Sequence, residues 1–163
     1  MISWTVSTTI AFLAMSAIAG AESPEAQLMV PIRQLSESFN KGDMKAAAAT
    51  MSSSGVTIID EISPHVWEGS NAFDMYLKAF ATFDQAEGIT DEIYKPGKPT
   101  RVVVSGDDDY VVLPVVYTFK KKGVTMREAA HMVYVLQKGN GSWTITSFAW
   151  AGAAAQPVAG AVK

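Results

Sequence analysis

The chain contains no cysteine, so no disulfide framework holds it and its fold is indifferent to redox compartment. Charge is sparse as well. Asp, Glu, Lys and Arg make up 18% of the 163 residues, and 13 basic residues face 16 acidic ones for a formal charge of -3. No basic surface results that could neutralise a run of phosphates, which argues against nucleic acid as a partner. Glycine (12) and proline (7) are too few for a collagen-like or low-complexity chain. Beyond residue 21, charge or turn residues interrupt every apolar run, so no membrane-spanning segment is expected there. Histidine occurs only twice, and neither metal-ligand spacing nor a nucleophile motif is visible. No metal and no cofactor is therefore expected.

What is present is a 48% hydrophobic chain the size of one globular domain. Residues 10–19 form a short apolar core. Ala17-Ile18-Ala19 and Ala19-Gly20-Ala21 are small-x-small sites just before the first charged residue, Glu22. This is the pattern of an export signal over residues 1–21, leading to a periplasmic or secreted protein. Residues 1–9 lack the Lys or Arg of such a signal, which leaves an uncleaved anchor as the alternative. The organisation expected is a signal peptide (1–21), one domain (22–152) and a disordered tail (153–163).

Along that domain the hydrophobic period changes once. Ser23-Pro24-Glu25 is a helix start, with Leu28, Ile32, Leu35 and Phe39 at helical spacing and Asn40-Lys41-Gly42 as the stop. Pro31 inside it predicts a kink or a restart. Asp43 caps a short second helix over 44–51. Residues 56–62 read as a strand, with 65–67 as its return, and a third helix begins after Asn71 with Phe73, Leu77 and Phe80 as its stripe and Tyr76 beside them. From about residue 89 the period is two. Residues 100–105, 110–120, 125–138 and 143–150 read as strands joined by hairpins at 106–109, 121–123 and 139–141. Helices followed by strands predict an α+β fold, with helices on one face of an antiparallel meander. On residues 110–119 both faces are apolar, so helices should cover one and a second subunit, in a homodimer, the other.

The run Phe39-Asn40-Lys41-Gly42-Asp43-Met44, then Val56-Thr57-Ile58-Ile59-Asp60-Glu61 leading through Pro64-His65-Val66-Trp67-Glu68-Gly69, and finally Gly141-Ser142-Trp143-Thr144-Ile145, resemble SnoaL-like and ketosteroid-isomerase-like proteins of the nuclear-transport-factor-2-like superfamily. The resemblance spans residues 24–152. It implies a cone-shaped barrel, three N-terminal helices packed in a strongly curved antiparallel sheet, with a pocket at one end and frequent dimers through the outer sheet face. It fixes no reaction, because this fold hosts isomerases, cyclases, dehydratases, binding modules and scaffolds.

Asp60 ends the apolar run 56–59, so its carboxylate should be partly desolvated and able to exchange protons near neutral pH. The resemblance places the catalytic base of ketosteroid-isomerase-like enzymes at the matching position. It also implies a tyrosine donor from the first helix, but that position falls near Leu35, which cannot donate. The second donor falls nearest His131, so Asp60 and His131 are the catalytic candidates. Trp67, Tyr76, Tyr94, Tyr117 and Trp150 are the candidate ligand-binding residues, offering flat faces with an O–H or N–H handle. The plain alternatives are a strand-end carboxylate for Asp60, structural roles for His65 and His131, and core packing for the aromatics. Arg127 and Glu128 point to opposite faces of one strand, so only one can enter a pocket, and a solvated or interface charge is the expectation for either. Asp107-Asp108-Asp109 reads as a solvated hairpin turn rather than a calcium loop, and the sequon Asn140-Gly141-Ser142 reads as a turn.

The function expected is an exported pocket protein that binds a small apolar or aromatic molecule without catalysing a reaction. The alternative is an isomerase, dehydratase or cyclase with Asp60 as general base.

Overall fold

Ser23 opens the first helix by accepting a hydrogen bond from the Ala26 N–H at 3.2 Å, with Pro24 at the first helical position, where its missing N–H costs nothing. The computed structural model describes residues 23–139 and 141–159. The expected export segment (1–21) and the sequon asparagine Asn140 lie outside the described residues. Helix α1 (Pro24–Lys41) runs through Pro31 without a restart, and Pro31 is buried among its core-facing residues. It ends at Gly42, whose φ of 70° suits a residue without Cβ. The Asp43 carboxylate then accepts from the Ala46 N–H at 2.9 Å and caps α2 (Met44–Ala48), which stops short of the expected residue 51.

Strands β1 (Val56–Ile59) and β2 (Val66–Gly69) pair as an antiparallel hairpin ahead of α3 (Ala72–Glu87). The remaining strands are β3 (Ile89–Pro96), β4 (Arg101–Val103), β5 (Asp108–Lys121), β6 (Val124–Gly139), β7 (Ser142–Gly152) and β8 (Gln156–Pro157). They form one curved, open sheet in the order β2-β1-β7-β6-β5-β3, with β4 on β5 and β8 on β6. Three helices on one face of this sheet make the α+β cone expected. One pairing departs from the antiparallel meander: β1 runs parallel to β7, because β1 reaches the sheet from the helical half rather than through a hairpin. Among the described residues no helix is long and apolar enough to cross a membrane.

Of residues 153–163, expected as a disordered tail, 153 and 156–158 are paired to β6. Strand β6 extends past the end of β7 and leaves the stretch 124–129 as an open edge. The tail fills it: the Ala153 N–H donates to Ala129 O, the Val158 N–H donates to Thr125 O, and Met126 and Arg127 pair with Pro157 and Gln156. Asp109, expected in a solvated turn, is buried and accepts from the Ser105 N–H at 2.7 Å, closing the loop between β4 and β5.

The core lies between α1, α3 and the concave sheet face, where Leu28, Ile32, Ile58, Leu113, Leu136 and Ile145 are fully buried. Alternation along β5 puts Val111, Leu113 and Val115 into this core and leaves Val112, Pro114 and Val116 half-buried on the convex side.

Candidate functional site

The wide end of the cone encloses a cavity of about 520 Å³ between α1, α3 and the concave face of the sheet. Asp60 stands on its wall because Ile58 is buried and side chains two apart on a strand share a face. The chain turns sharply just after it. Asp60 Oδ1 accepts from the Ile62 N–H at 3.1 Å, an Asx-type turn, and the Asp60 N–H donates to His65 O at 3.0 Å. The second carboxylate oxygen, Oδ2, accepts from the Tyr76 hydroxyl of α3 at 3.1 Å. Burial pushes the Asp60 pKa up, against the Ile62, Tyr76 and Glu61 hydrogen bonds and the nearby His65, which pull it down. A tyrosine hydroxyl thus reaches the cavity from α3, where α1 has Leu35.

Two β-bulges aim the other polar groups. On β3, Thr90 pairs with Lys120 and Ile93 with Thr118, so Asp91 and Glu92 together oppose Phe119, with Asp91 at φ 54°. The extra residue reverses the alternation. Ile89 faces the cavity before it, Glu92 and Tyr94 face the cavity after it, and Ile93 is turned out to solvent, 49% exposed. Asp91 stays outside in an ion pair with Lys120 at 2.6 Å. On β7, Val135 pairs with Ser147 and Leu136 with Ile145, so Thr146 is the extra residue. The face changes again. Ile145 points into the core, and beyond the bulge Phe148 and Trp150 line the cavity.

The inward residues meet in pairs. Trp150 Nε1 donates to Glu128 Oε1 at 3.0 Å, the Tyr117 hydroxyl donates to Glu92 Oε2, and the Tyr94 and Tyr134 hydroxyls share a hydrogen bond at 3.1 Å. Glu128 is 4% exposed, and its pKa is pushed up to about 7 by burial, then by Glu61 and Asp60, against the Trp150 bond. Asp84 of α3 is likewise pushed up to about 7 by burial and by the adjacent Glu92 carboxyl, and its Oδ1 is buried without a hydrogen-bond partner. Burial and Asp60 raise Glu61. Burial raises all four cavity tyrosines, Tyr134 to about 12, so each stays a neutral donor at physiological pH. Among the described residues, no three His, Asp or Glu side chains form a metal-ligating group.

Of the expected site residues, Asp60, Tyr76, Tyr94, Tyr117 and Trp150 line this one cavity. Two do not. His131 is exposed on the convex face, because its neighbours Ala130 and Met132 point into the cone and alternation sends the residue between them outward. Trp67 is buried against the Tyr76 ring, with centroids 5.2 Å apart, and is a core residue behind the wall rather than a lining one. Glu128, expected as a solvated or interface charge, is buried and lines the cavity instead. Its position three residues before His131 on the same strand placed it on the inner face. Asp84, Glu92 and Tyr134 were not singled out in the sequence.

No protein-family model matches the chain, and no curated protein matches it in sequence. Solved structures do. The chain is similar to a ketosteroid isomerase-like protein from Erwinia carotovora atroseptica, at 21% identity over 79% of this chain and 95% of that one, with a TM-score of 0.62. It is also similar to a hexachlorocyclohexane dehydrochlorinase from Novosphingobium barchaimii, at 14% identity over 83% and 90%, with a TM-score of 0.68. A third is an NTF2-like protein with a cystatin-like fold from Novosphingobium aromaticivorans, at 13% identity over 77% and 79%, with a TM-score of 0.61. The fold is therefore the NTF2-like cone of these structures. At these identities the likeness carries the architecture and leaves the chemistry to the cavity.

Proposed function

We propose that the cone binds a small, flat, largely apolar or aromatic molecule, with the inward acids and hydroxyls holding its polar end. The observation that supports this best is the cavity itself. Its volume of about 520 Å³ falls in the range of small-molecule sites, and its wall is mostly aromatic and aliphatic with a few converging polar groups.

A second reading, proton-transfer catalysis, is favoured by one specific observation: a desolvated carboxylate, Asp60, and an acid held near neutral pKa, Glu128, open on the same cavity. On this reading Asp60 takes a proton from carbon. Glu128 or the Tyr94–Tyr134 pair donates to the oxygen or leaving group on which negative charge develops, which is the division of labour an isomerase, dehydratase or cyclase needs. The missing helix-one tyrosine is thus no obstacle, because α3, β3 and β6 bring hydroxyls to the cavity.

5-Nitrobenzisoxazole, a flat aromatic whose ring opening needs only a base, separates the two readings. A binder quenches Trp150 on adding it without opening the ring. An enzyme opens it, and Asp60→Asn, which keeps shape and removes proton acceptance, lowers the rate by about 100-fold or more. If no flat aromatic binds at millimolar concentration, whether neutral like this probe and 2-naphthol or charged, the ligand-site reading fails.

A further inference from the structure

Among the described residues, the cavity wall holds five carboxyl groups, Asp60, Glu61, Asp84, Glu92 and Glu128, and one cation, Lys121. Lys121 is already engaged: its Nζ lies 2.7 Å from Glu87 Oε2. Asp84 and Glu92 share a carboxyl–carboxyl hydrogen bond, and the other hydrogen-bond partners of the inward acids are neutral. Asp60 has an amide N–H and a tyrosine hydroxyl, Glu92 a tyrosine hydroxyl and Glu128 an indole N–H. Asp84 Oδ1, buried, has none. The ion pairs found among the described residues involve Glu37, Glu87 and Asp91, none of them a wall carboxyl.

Flat π-faces stand beside these acids. The Trp150 ring lies 6.1 Å from Tyr94 and 6.0 Å from Tyr117, the latter at 83°, so three rings turn a corner. Two of them are hydrogen-bonded at their edges to the carboxyls Glu128 and Glu92. Ring faces carry negative electrostatic potential, and carboxylates add to it. An anionic molecule would meet repulsion from both. A neutral one would leave the acids to neutralise themselves by protonation, whereas a cation compensates them directly and sits against the rings.

We propose that the ligand of this cavity is cationic, an apolar or aromatic body ending in a basic or quaternary nitrogen, with the nitrogen in the corner formed by Tyr94, Tyr117 and Trp150 between Glu92 and Glu128. The inference rests on the reading of the cone as a ligand site and names the chemical class of its occupant. Because burial and neighbouring carboxyls push Asp84 and Glu128 up to about 7, binding the cation should release protons near neutral pH.

Three probes of one shape test it on the intact chain by tryptophan fluorescence and ligand-observed NMR: benzyltrimethylammonium, its uncharged carbon isostere neopentylbenzene, and the anion phenylmethanesulfonate. The expected result is that the cation binds about tenfold or more tighter than the isostere, a modest share of what a desolvated cation–π contact and two carboxyls can supply, and that the sulfonate binds least. In Glu92→Gln/Glu128→Gln the ratio of cation to isostere affinity falls toward one. Binding of the isostere as tightly as the cation overturns this proposal and leaves the ligand-site reading standing. Binding of none of the three at millimolar concentration removes that reading and this proposal with it. A ratio unchanged in the double variant, with a thermal melt showing it folded, also overturns the assignment. If the double variant does not fold, the wild-type ratio decides alone.

Discussion

Replacing Glu128 with Gln should stabilise the protein at about pH 8 and leave its stability nearly unchanged at about pH 4. The carboxyl has an ordinary pKa of 4.5 in the unfolded chain and about 7 in the cone. Between those values the folded state binds more proton than the unfolded state, so stability falls as pH rises through this window. Below it both states are protonated and nothing is lost. Above it both are ionised and the full cost of a desolvated charge, set beside Glu61 and Asp60, is present. At face value the shift corresponds to roughly 3 kcal/mol. The side chain is 4% exposed but borders a cavity that admits water, so the discounted cost is about 1–2 kcal/mol. Gln keeps the length of Glu and an oxygen to accept the Trp150 N–H, so the wall should not collapse. Urea unfolding of both proteins followed by circular dichroism at several pH values measures the difference directly. It should grow from near zero to that size, or by roughly 2–8 °C in a thermal melt. Asp84 is raised by burial and by Glu92, not by Glu128, so its share of the pH dependence stays in the variant and serves as an internal control. A stability difference that is the same at every pH, or a variant less stable at pH 8, would refute the reasoning.

Gly152→Ala tests the packing of the same acid from the other side. A Cβ there would run into Glu128 Oε1 and lie 2.5 Å from Trp150 Nε1, so about 1–3 kcal/mol of stability should be lost, with a shift in tryptophan emission; an unchanged melt and spectrum would show that the wall yields freely. For the convex face we propose a homodimer, since Val112, Pro114 and Val116 are half-buried there and no helix among the described residues covers them. Val116→Lys should then give monomer or aggregate in sedimentation, and a wild-type chain already monomeric at micromolar concentration would end the idea.

Element order and type were legible because each rests on local chemistry: Ser23 and Asp43 as caps, Gly42 as a stop, and the two-residue turn at Lys122 and Gly123, both at positive φ, joining β5 to β6. The parallel β1–β7 pair was not, since it joins segments some ninety residues apart and no turn announces it. At the site, Asp60 was legible as a carboxylate closing an apolar run. His131 was misplaced although simple alternation decides it: once Met132 and Ala130 are seen as core, the residue between them must face out, and Glu128 must face in. Glu92 was hidden for a different reason. Period-two reading of β3 sends Asp91 inward and Glu92 outward, and only the bulge, which depends on how β3 registers against β5, exchanges them. Asp84 shares a cavity with Glu92 across a helix and a strand, a proximity that no spacing along the chain encodes.

After Gly152 the chain crosses the cavity mouth with three alanines, residues 153–155, before β8 is stitched to Met126 and Arg127. These alanines are a doorframe, lining the cavity and reaching solvent at once, so a bulkier side chain at Ala154 should screen entrants by girth while leaving every acid and hydroxyl inside untouched. The same geography governs how the protein can be handled. A polypeptide cut after residue 152 keeps every strand through β7 yet loses one jamb of the door.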